Sequence, residues 1–488
     1  MIQKFILPAF LLAAVFLFVT CSQNNKRPGD ASSENWLKVS GDQIVNQKGD
    51  TVYLRGFGLG GMLHMENFIN GYPANEEAMR QGLKSVLGEK KYNLYFDTFL
   101  KNYFTDADAA YIKSLGLNLV RIPINYRMFE DDMNPRVFKM EAFAYLDSVI
   151  EMCARHKIYT IIDLHALPGA QNQHWHSDNP THIAAFWLHK DFQDRALQLW
   201  EVIADRYKDQ SWVAGYDLIN EPADPTREKV VPYYKRLNDA IRKIDEKHIL
   251  FLEGDRYATE FDKFTEVWDN VVYTNHDYAA PGFGVEYPGY TRDRYYDKDT
   301  LEKDFIKKSE FMFSHKVPVW VGEFGPVYTG DSVKDEMRYR VLKDQLAYYN
   351  KYKVSWCIWL YKDMGLQAIM HQNENTPYMK LVSAFLKRKD SLGADAWGSS
   401  DKNIKYAIAP MEELIKKEFP NFDPYPRGAT RELGLLIRHI LISEALLPEY
   451  CNLFKDLSEE QLVELAQSFR FENYVMRKRL EEILRVKE

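Results

Sequence analysis

Residues 117–166 read LNLVRIPINYRMFEDDMNPRVFKMEAFAYLDSVIEMCARHKIYTIIDLHA, and this stretch decides the fold. It opens on an apolar β-type run, Leu117–Ile124, and closes on another, Tyr159–Ala166. Between them, Glu141–Lys157 repeats apolar residues at three- and four-residue spacing, the period of a helix with one buried face. Gly116 precedes the first run, where a helix ends best on a glycine. YTIIDL and, further on, VPVWV are nearly continuous apolar runs. A strand with one wet face alternates; one covered on both faces does not, and that is the habit of parallel sheets. The stretch therefore predicts a parallel strand–helix–strand unit.

The same alternation continues in both directions. Further strands are expected at Thr51–Leu59, Val213–Asn220, Ile249–Gly254, Val271–Tyr278, Val317–Phe324 and Val354–Tyr361. Helical spacing marks Asp106–Leu115, Asp191–Lys208, Arg227–Glu246, Leu301–Lys316, Val333–Lys353 and Pro377–Asp390, while the segment after Gly254 is less regular. Eight alternations predict an α/β fold, a (β/α)₈ TIM barrel. A doubly wound sheet would need a glycine-rich first turn that this chain lacks.

The flanks complete a domain plan. Phe5–Thr20 is an apolar run after one lysine, too short to span a bilayer and suited to a signal-peptide core. It stops at Cys21, which resembles a lipoprotein signal, so residues 1–21 are expected to direct export and Cys21 to carry a lipid. The expected location is the bacterial cell envelope, periplasm or outer membrane, with the membrane as a partner through that lipid. Residues 22–35 form a polar tether, 36–390 the barrel domain, opening on a hairpin at Trp36–Asp50, and 391–488 a helical C-terminal extension. Within the extension, Ile404–Glu418, Arg431–Leu446 and Ser458–Arg485 are expected to be helices. Cys153, Cys357 and Cys451 match no zinc spacing and are expected to be buried thiols. A net charge of −7 argues against a nucleic-acid partner.

Polar residues recur where the apolar strands end: Arg121, His165, Asn220-Glu221, His276 and Tyr278, Glu323, Trp359. Burying such groups is costly unless they pair, and any one alone is best read as structural. Six strands agreeing points to a site at the C-terminal face of the barrel, where such active sites lie. Glu221 and Glu323 end strands four and seven, nearly opposite in an eight-stranded barrel. Two facing carboxyl groups in different protonation states are what glycosidic cleavage needs. Arg121 beside one of them would favour its charged form.

This ordered set, with LINEP and VGEFG at its centre, resembles glycoside hydrolase family 5 of the retaining barrel clan, over roughly residues 50–390. The resemblance implies Glu221 as acid/base and Glu323 as nucleophile, with Arg121 and Tyr278 hydrogen-bonded to the nucleophile and His276 orienting the acid/base. It implies sugar binding by His165, Asn220 and Trp359. LRGFGLGGML followed by Glu66, and LHALPGAQN, resemble the exo-β-1,3-glucanase branch, although Met62 stands where that branch carries a bulky aromatic. Glu66 and Asn172 are sugar-binding candidates, against capping or bracing roles.

The expected activity is a retaining β-glycoside hydrolase acting on β-glucosides or β-glucan oligosaccharides by double displacement. The alternatives are an endo-acting cellulase or mannanase on the same fold, a transglycosylase, and a non-catalytic glycan-binding lipoprotein; the last usually loses a catalytic carboxylate, and this chain keeps both. Insertions at Gly60–Thr105 and Ala166–Lys190 are expected to wall one end of the groove and favour exo action, unless the first packs down the side of the barrel. No cofactor is expected. His174, Trp175, His176 and Asp178 in QHWHSDN invite a zinc reading, but sugar contact or structure is the better account and no metal is expected.

Overall fold

In a computed structural model, which describes residues 35–284, 286–291, 294–395 and 397–486, eight short strands close into a barrel. They are β1 (Arg55–Gly58), β2 (Leu119–Asn125), β3 (Tyr159–Ala166), β4 (Val213–Asp217), β5 (Ile249–Glu253), β6 (Val271–His276), β7 (Val319–Glu323) and β8 (Ser355–Ile358). Each pairs in parallel with its neighbours, and β8 returns to β1. All eight lie where the apolar runs predict them. The runs overshoot at their C-terminal ends because Asn220, Tyr278 and Trp359 leave the ladder at the barrel mouth.

Leu119, Ile161, Phe251, Trp320 and Cys357 fill the lower barrel, and a hairpin of Lys38–Ser40 and Gln43–Val45 seats Leu37 and Ile44 in the same core. Strand packing is close enough to dictate residue type at Gly56, where a Cβ would stand 1.7 Å from the Leu119 carbonyl oxygen. The three cysteines are buried thiols. No helix among the described residues is long and apolar enough to cross a membrane; Cys21 and the polar tether lie outside the described residues, apart from Asn35.

Helices follow seven of the strands. After β5 there is instead a single turn, Asp255–Ala258, with φ of 53°, 59° and 56° at Arg256, Tyr257 and Ala258. A left-handed turn made without glycine costs each residue about 1–2 kcal/mol, which explains why no helical periodicity is readable there.

The first insertion divides in two. Residues 60–70 stay at the barrel mouth, whereas the helix Glu76–Tyr103, interrupted at Gly88, lies against the C-terminal extension. Its aromatic face meets that of the extension: Tyr95 packs on Phe454 and Phe99 on Phe469, with ring centroids 5.7 and 4.8 Å apart. So most of this insertion is flank, and only its beginning reaches the site.

The extension holds Lys405–Glu418 as a helix and then a helical run from Ala429 to Asn452 whose middle, Leu436–Ile442, is wound more loosely. The single helix expected over Ser458–Arg485 is not formed. It breaks into Glu459–Gln467, a strand Tyr474–Met476, and Lys478–Leu484. The strand pairs antiparallel with Met370–Gln372, and Arg477 donates to the carbonyls of Gly365 and Ala368, so tertiary pairing overrides helical periodicity here.

One carboxyl ties the extension to the left-handed turn. Asp255 Oδ1 accepts from the Arg256 and Asp224 amides at 2.8 and 3.2 Å and from the Tyr425 hydroxyl at 3.1 Å. Burial pushes its pKa up to about 6, from 3.8. A raised carboxyl contributes stability that is present below its unfolded value and lost as pH rises through its folded value. Asp255→Asn keeps the acceptor and removes the titration. It is expected to stabilise the protein at pH 7 by up to about 3 kcal/mol, with no gain near pH 4. Thermal unfolding at the two pH values checks this; an equal shift at both would overturn it.

Candidate active site

A cavity of about 720 Å³ opens at the C-terminal ends of the strands, and Glu66, His165, Glu221, His276, Glu323 and Trp359 line it. Behind its lining lies Arg121 on β2, which is fully buried. Arg121 Nη1 donates to Glu323 Oε1 at 2.6 Å and Nε to Asp217 at 2.9 Å. Its Nη2 faces Asn220 Oδ1 at 2.8 Å, Glu253 at 3.0 Å and Asp163 at 3.2 Å. One cation thus serves four carboxyl groups. Burial raises Asp163 and Asp217 well above the usual carboxylate range, with Asp217 and Glu253 respectively adding to the effect. Acids pushed toward the neutral form compete less for the guanidinium, which also donates to Glu323 and Glu253.

Glu323 ends β7, and its second oxygen accepts from the Tyr278 hydroxyl at 2.8 Å. Burial pushes its carboxyl up, while His276 and Arg121 act in the opposite sense. Glu221 lies beyond the end of β4 with φ 47°, a left-handed conformation that strains a residue with a Cβ. Glu253 holds it there, accepting from the Glu221 amide at 2.6 Å. Glu221 Oε1 lies 2.7 Å from His276 Nδ1 and Oε2 lies 3.0 Å from His176 Nε2. Burial opposes a charge on His276, but Glu253, Glu323 and Glu221 raise its proton affinity well above that of a free imidazole. One oxygen each of Glu221 and Glu323, with a nitrogen of His276, fall within 4.8 Å of one another.

A chain of fixed donors sets the other wall. Asn220 Oδ1 is taken by Arg121, so its amide nitrogen faces His165 Nε2 at 3.3 Å. His165 Nδ1 therefore carries the hydrogen and meets Asp163 at 2.7 Å. Burial keeps this imidazole neutral, with the neighbouring His64 adding to the effect. His165 stacks on Trp359, with centroids 5.4 Å apart. A Cβ on Gly58 would stand 2.5 Å from the Trp359 ring, which accounts for a glycine there. Glu66 Oε1 lies 3.8 Å from His165 and has no hydrogen-bond partner in the protein. Burial, then Glu323 and Glu221, push its carboxyl well up, toward the neutral form.

The expected residues thus come together with one departure. Asn172 is fully buried and braces the loop instead of lining the cavity: its amide donates to the Glu221 carbonyl at 3.0 Å and its oxygen accepts from the His174 amide at 3.0 Å. Asp178 is a brace as well, bound to Arg127 and Asn75 at 2.6 Å each. His176, by contrast, reaches the centre of the site. Sequence reading missed Glu253, Asp163 and Asp217, although each is an acid in an apolar strand, the signal that found Glu323. It also missed Tyr257, Trp397, Arg427 and His439, which line the cavity from the left-handed turn and the extension; nothing in their local sequence marks them.

The model of the family described as cellulase (glycosyl hydrolase family 5) matches residues 78–365. A protein named beta-xylosidase, from Phanerodontia chrysosporium, is 47% identical over 465 residues, covering 92% of this chain and 97% of its own. A probable glucan 1,3-beta-glucosidase A from Aspergillus fumigatus is 28% identical over 392 residues, covering 75% of this chain and 89% of its own. The solved structure of an endogalactoceramidase, 17% identical, covers 67% of this chain and 75% of its own with a TM-score of 0.50, a likeness of fold.

Among the described residues, two groups bring three metal-type donors together, Glu221–His276–Glu323 and His64–Glu66–His165, and neither includes His174 or Asp178. In the first, Arg121 and Tyr278 already occupy both oxygens of Glu323. The hydrolytic activity expected from the sequence should therefore survive exhaustive chelation. A loss restored by zinc or calcium would revive a metal role.

Proposed function

The chain belongs to glycosyl hydrolase family 5, and from that premise we propose that it is a retaining, exo-acting β-glycosidase that removes single sugars from short β-linked chains. The observation that carries this reading is the spacing of the two glutamates. One carboxyl oxygen of Glu221 and one of Glu323 lie within 4.8 Å of each other, which favours the short separation of retaining enzymes, roughly 5–5.5 Å, over the roughly 6.5–9.5 Å that an inverting enzyme needs to admit water.

In this reading Glu323 is the nucleophile. Arg121 and Tyr278 donate to both of its oxygens, which favours the carboxylate and aims it at the anomeric carbon. Glu221 is the acid. Two donating imidazoles would hold its carboxyl below the usual range despite burial, but Asn172 argues against donation by His176. The Asn172 amide is oriented by its bonds to His174 and Glu221, and its nitrogen also stands 2.9 Å from His176 Nε2. That nitrogen then accepts from Asn172 and gives no hydrogen bond to Glu221 Oε2. His276 Nδ1 faces Oε1 at 2.7 Å. Double displacement starts from a protonated Glu221 and an ionised Glu323.

Glu66, His165 and Trp359 form the surface for the attacked sugar. The cavity is walled by residues 60–70, by the loop after β3 and by the extension, which supports action at chain ends. The 47% identical relative is named a beta-xylosidase, and its name supports β-xylosides and xylo-oligosaccharides as substrates, beside the β-glucosides inferred from sequence. We also propose, on sequence alone, export and anchoring through Cys21. Cys21→Ser should then release the protein from the membrane fraction, and wild-type protein that is already soluble would overturn the anchor.

Glu323→Gln and Glu221→Gln are each expected to lower kcat on a β-glycoside by about 10²–10⁴-fold or more with an unchanged unfolding midpoint. Product released by the wild type should keep the β configuration when followed by NMR. Initial release of the α-anomer would overturn the double-displacement assignment.

A further inference from the structure

Beyond Glu221 the cavity changes character. Its deep side carries charge, whereas its outer side is lined by His174, Trp175, Tyr257, Arg427 and His439. Trp175 and His439 pack edge to face, with centroids 3.8 Å apart, and His174 stands 5.7 Å from His439 and 5.1 Å from Tyr257. The Arg427 guanidinium lies over the Tyr257 ring at 4.3 Å. Two of these residues, Arg427 and His439, come from the extension and lie outside the span 78–365 matched by the family model.

Four of the five carry polar atoms that the protein leaves without a partner, Arg427 through its Nε. His439 is 5% exposed with neither ring nitrogen hydrogen-bonded; Trp175 Nε1 and His174 Nε2 are likewise unpartnered in residues 6% and 7% exposed. Buried polar groups are nearly always paired, so a cluster of unpaired ones calls for an account. Burial keeps both imidazoles neutral, with Arg427 adding to the effect on His174 and Arg438 on His439. A neutral imidazole offers one donor and one acceptor. The backbone at Tyr257 adds a second, independent sign. The left-handed turn that aims this ring into the cavity is strained at three consecutive residues, and such strain collects at ligand sites.

We propose that the extension completes a leaving-group site, built for a second sugar unit rather than for an apolar aglycone. The position follows from the acid: a general acid stands beside the oxygen that departs, so groups reached past Glu221 face the departing half of the substrate. The chemistry follows from the lining. Neutral nitrogens that both donate and accept match hydroxyl groups, and the indole and phenol rings match the C–H faces of a pyranose. An apolar aglycone would leave the orphan nitrogens unpaired.

This rests on the glycosidase reading above, and the test separates the two. Wild type, His439→Leu and His439→Gln are compared on two substrates with the same attacked sugar, β-1,4-xylobiose and 4-nitrophenyl β-xyloside. His439→Leu is expected to lower kcat/KM on xylobiose by about tenfold or more, the effect of unpairing one or two hydroxyl contacts, and to change the aryl glycoside by less than about threefold. His439→Gln, which keeps a donor and an acceptor, is expected to recover most of the xylobiose activity. An equal loss on both substrates, or no loss on either, would overturn the leaving-group assignment. No wild-type turnover of either substrate, nor of cellobiose and 4-nitrophenyl β-glucoside, would overturn the glycosidase reading itself.

Discussion

Everything at the barrel mouth depends on one buried guanidinium. Arg121 is fully enclosed and faces Asp163, Asp217, Glu253 and Glu323. An isolated cation there would be prohibitively costly, and so would the four acids without it. Burial pushes Asp163 and Asp217 toward the neutral form, which lessens their competition with Glu253 and Glu323 for Arg121. Glu323 reaches from Arg121 into the cavity. Glu253 holds the Glu221 amide in its left-handed conformation and raises the basicity of His276. Glu221 and Glu323 are therefore set by one ion cluster beneath them, and neither position is independent of the other.

The same logic explains what was legible in the sequence. Barrel strands are covered on both faces, so they write themselves as continuous apolar runs, and all eight are readable. A charged residue in such a run is conspicuous because burial penalises it, which is how Arg121, Glu221, His276 and Glu323 are found by inspection. Asp163, Asp217 and Glu253 carry the same mark but sit one layer deeper, where they look like exceptions to the pattern unless their cation is known. Asn172 shows the opposite failure. Its residue type suits sugar hydroxyls and bracing equally, and only the direction of its amide, spent on Glu221 and His174, decides between them.

The extension was legible as helix and not as part of the site. Periodicity reports which face of a helix is buried, not what lies opposite. His439 occupies an ordinary position in a helical run, and its meaning comes from Trp175, more than 260 residues earlier. The misread segment 458–485 fails for a related reason. Tyr474–Met476 has no intrinsic need to be a strand, but the backbone of Met370–Gln372 supplies a partner, and long-range pairing outweighs local preference.

The division of charge across the cavity fits the chemistry that the two glutamates would perform. Charge is useful where it develops in a transition state, and there it must be fixed in advance by rigid elements. The strand ends meet that demand, because the barrel ladder fixes Arg121, His276 and Glu323 on one frame. The leaving half of a glycoside develops negative charge only on the oxygen beside Glu221; the rest of it stays a neutral polyol. Neutral imidazoles and aromatic rings are sufficient for that part. They sit on a loop, a strained turn and a helical extension rather than on the barrel ladder. The two sets of groups meet at the loop after β3, where Asn172 and His176 reach Glu221 and His174 and Trp175 line the cavity beyond it, so a change in that loop bears on both.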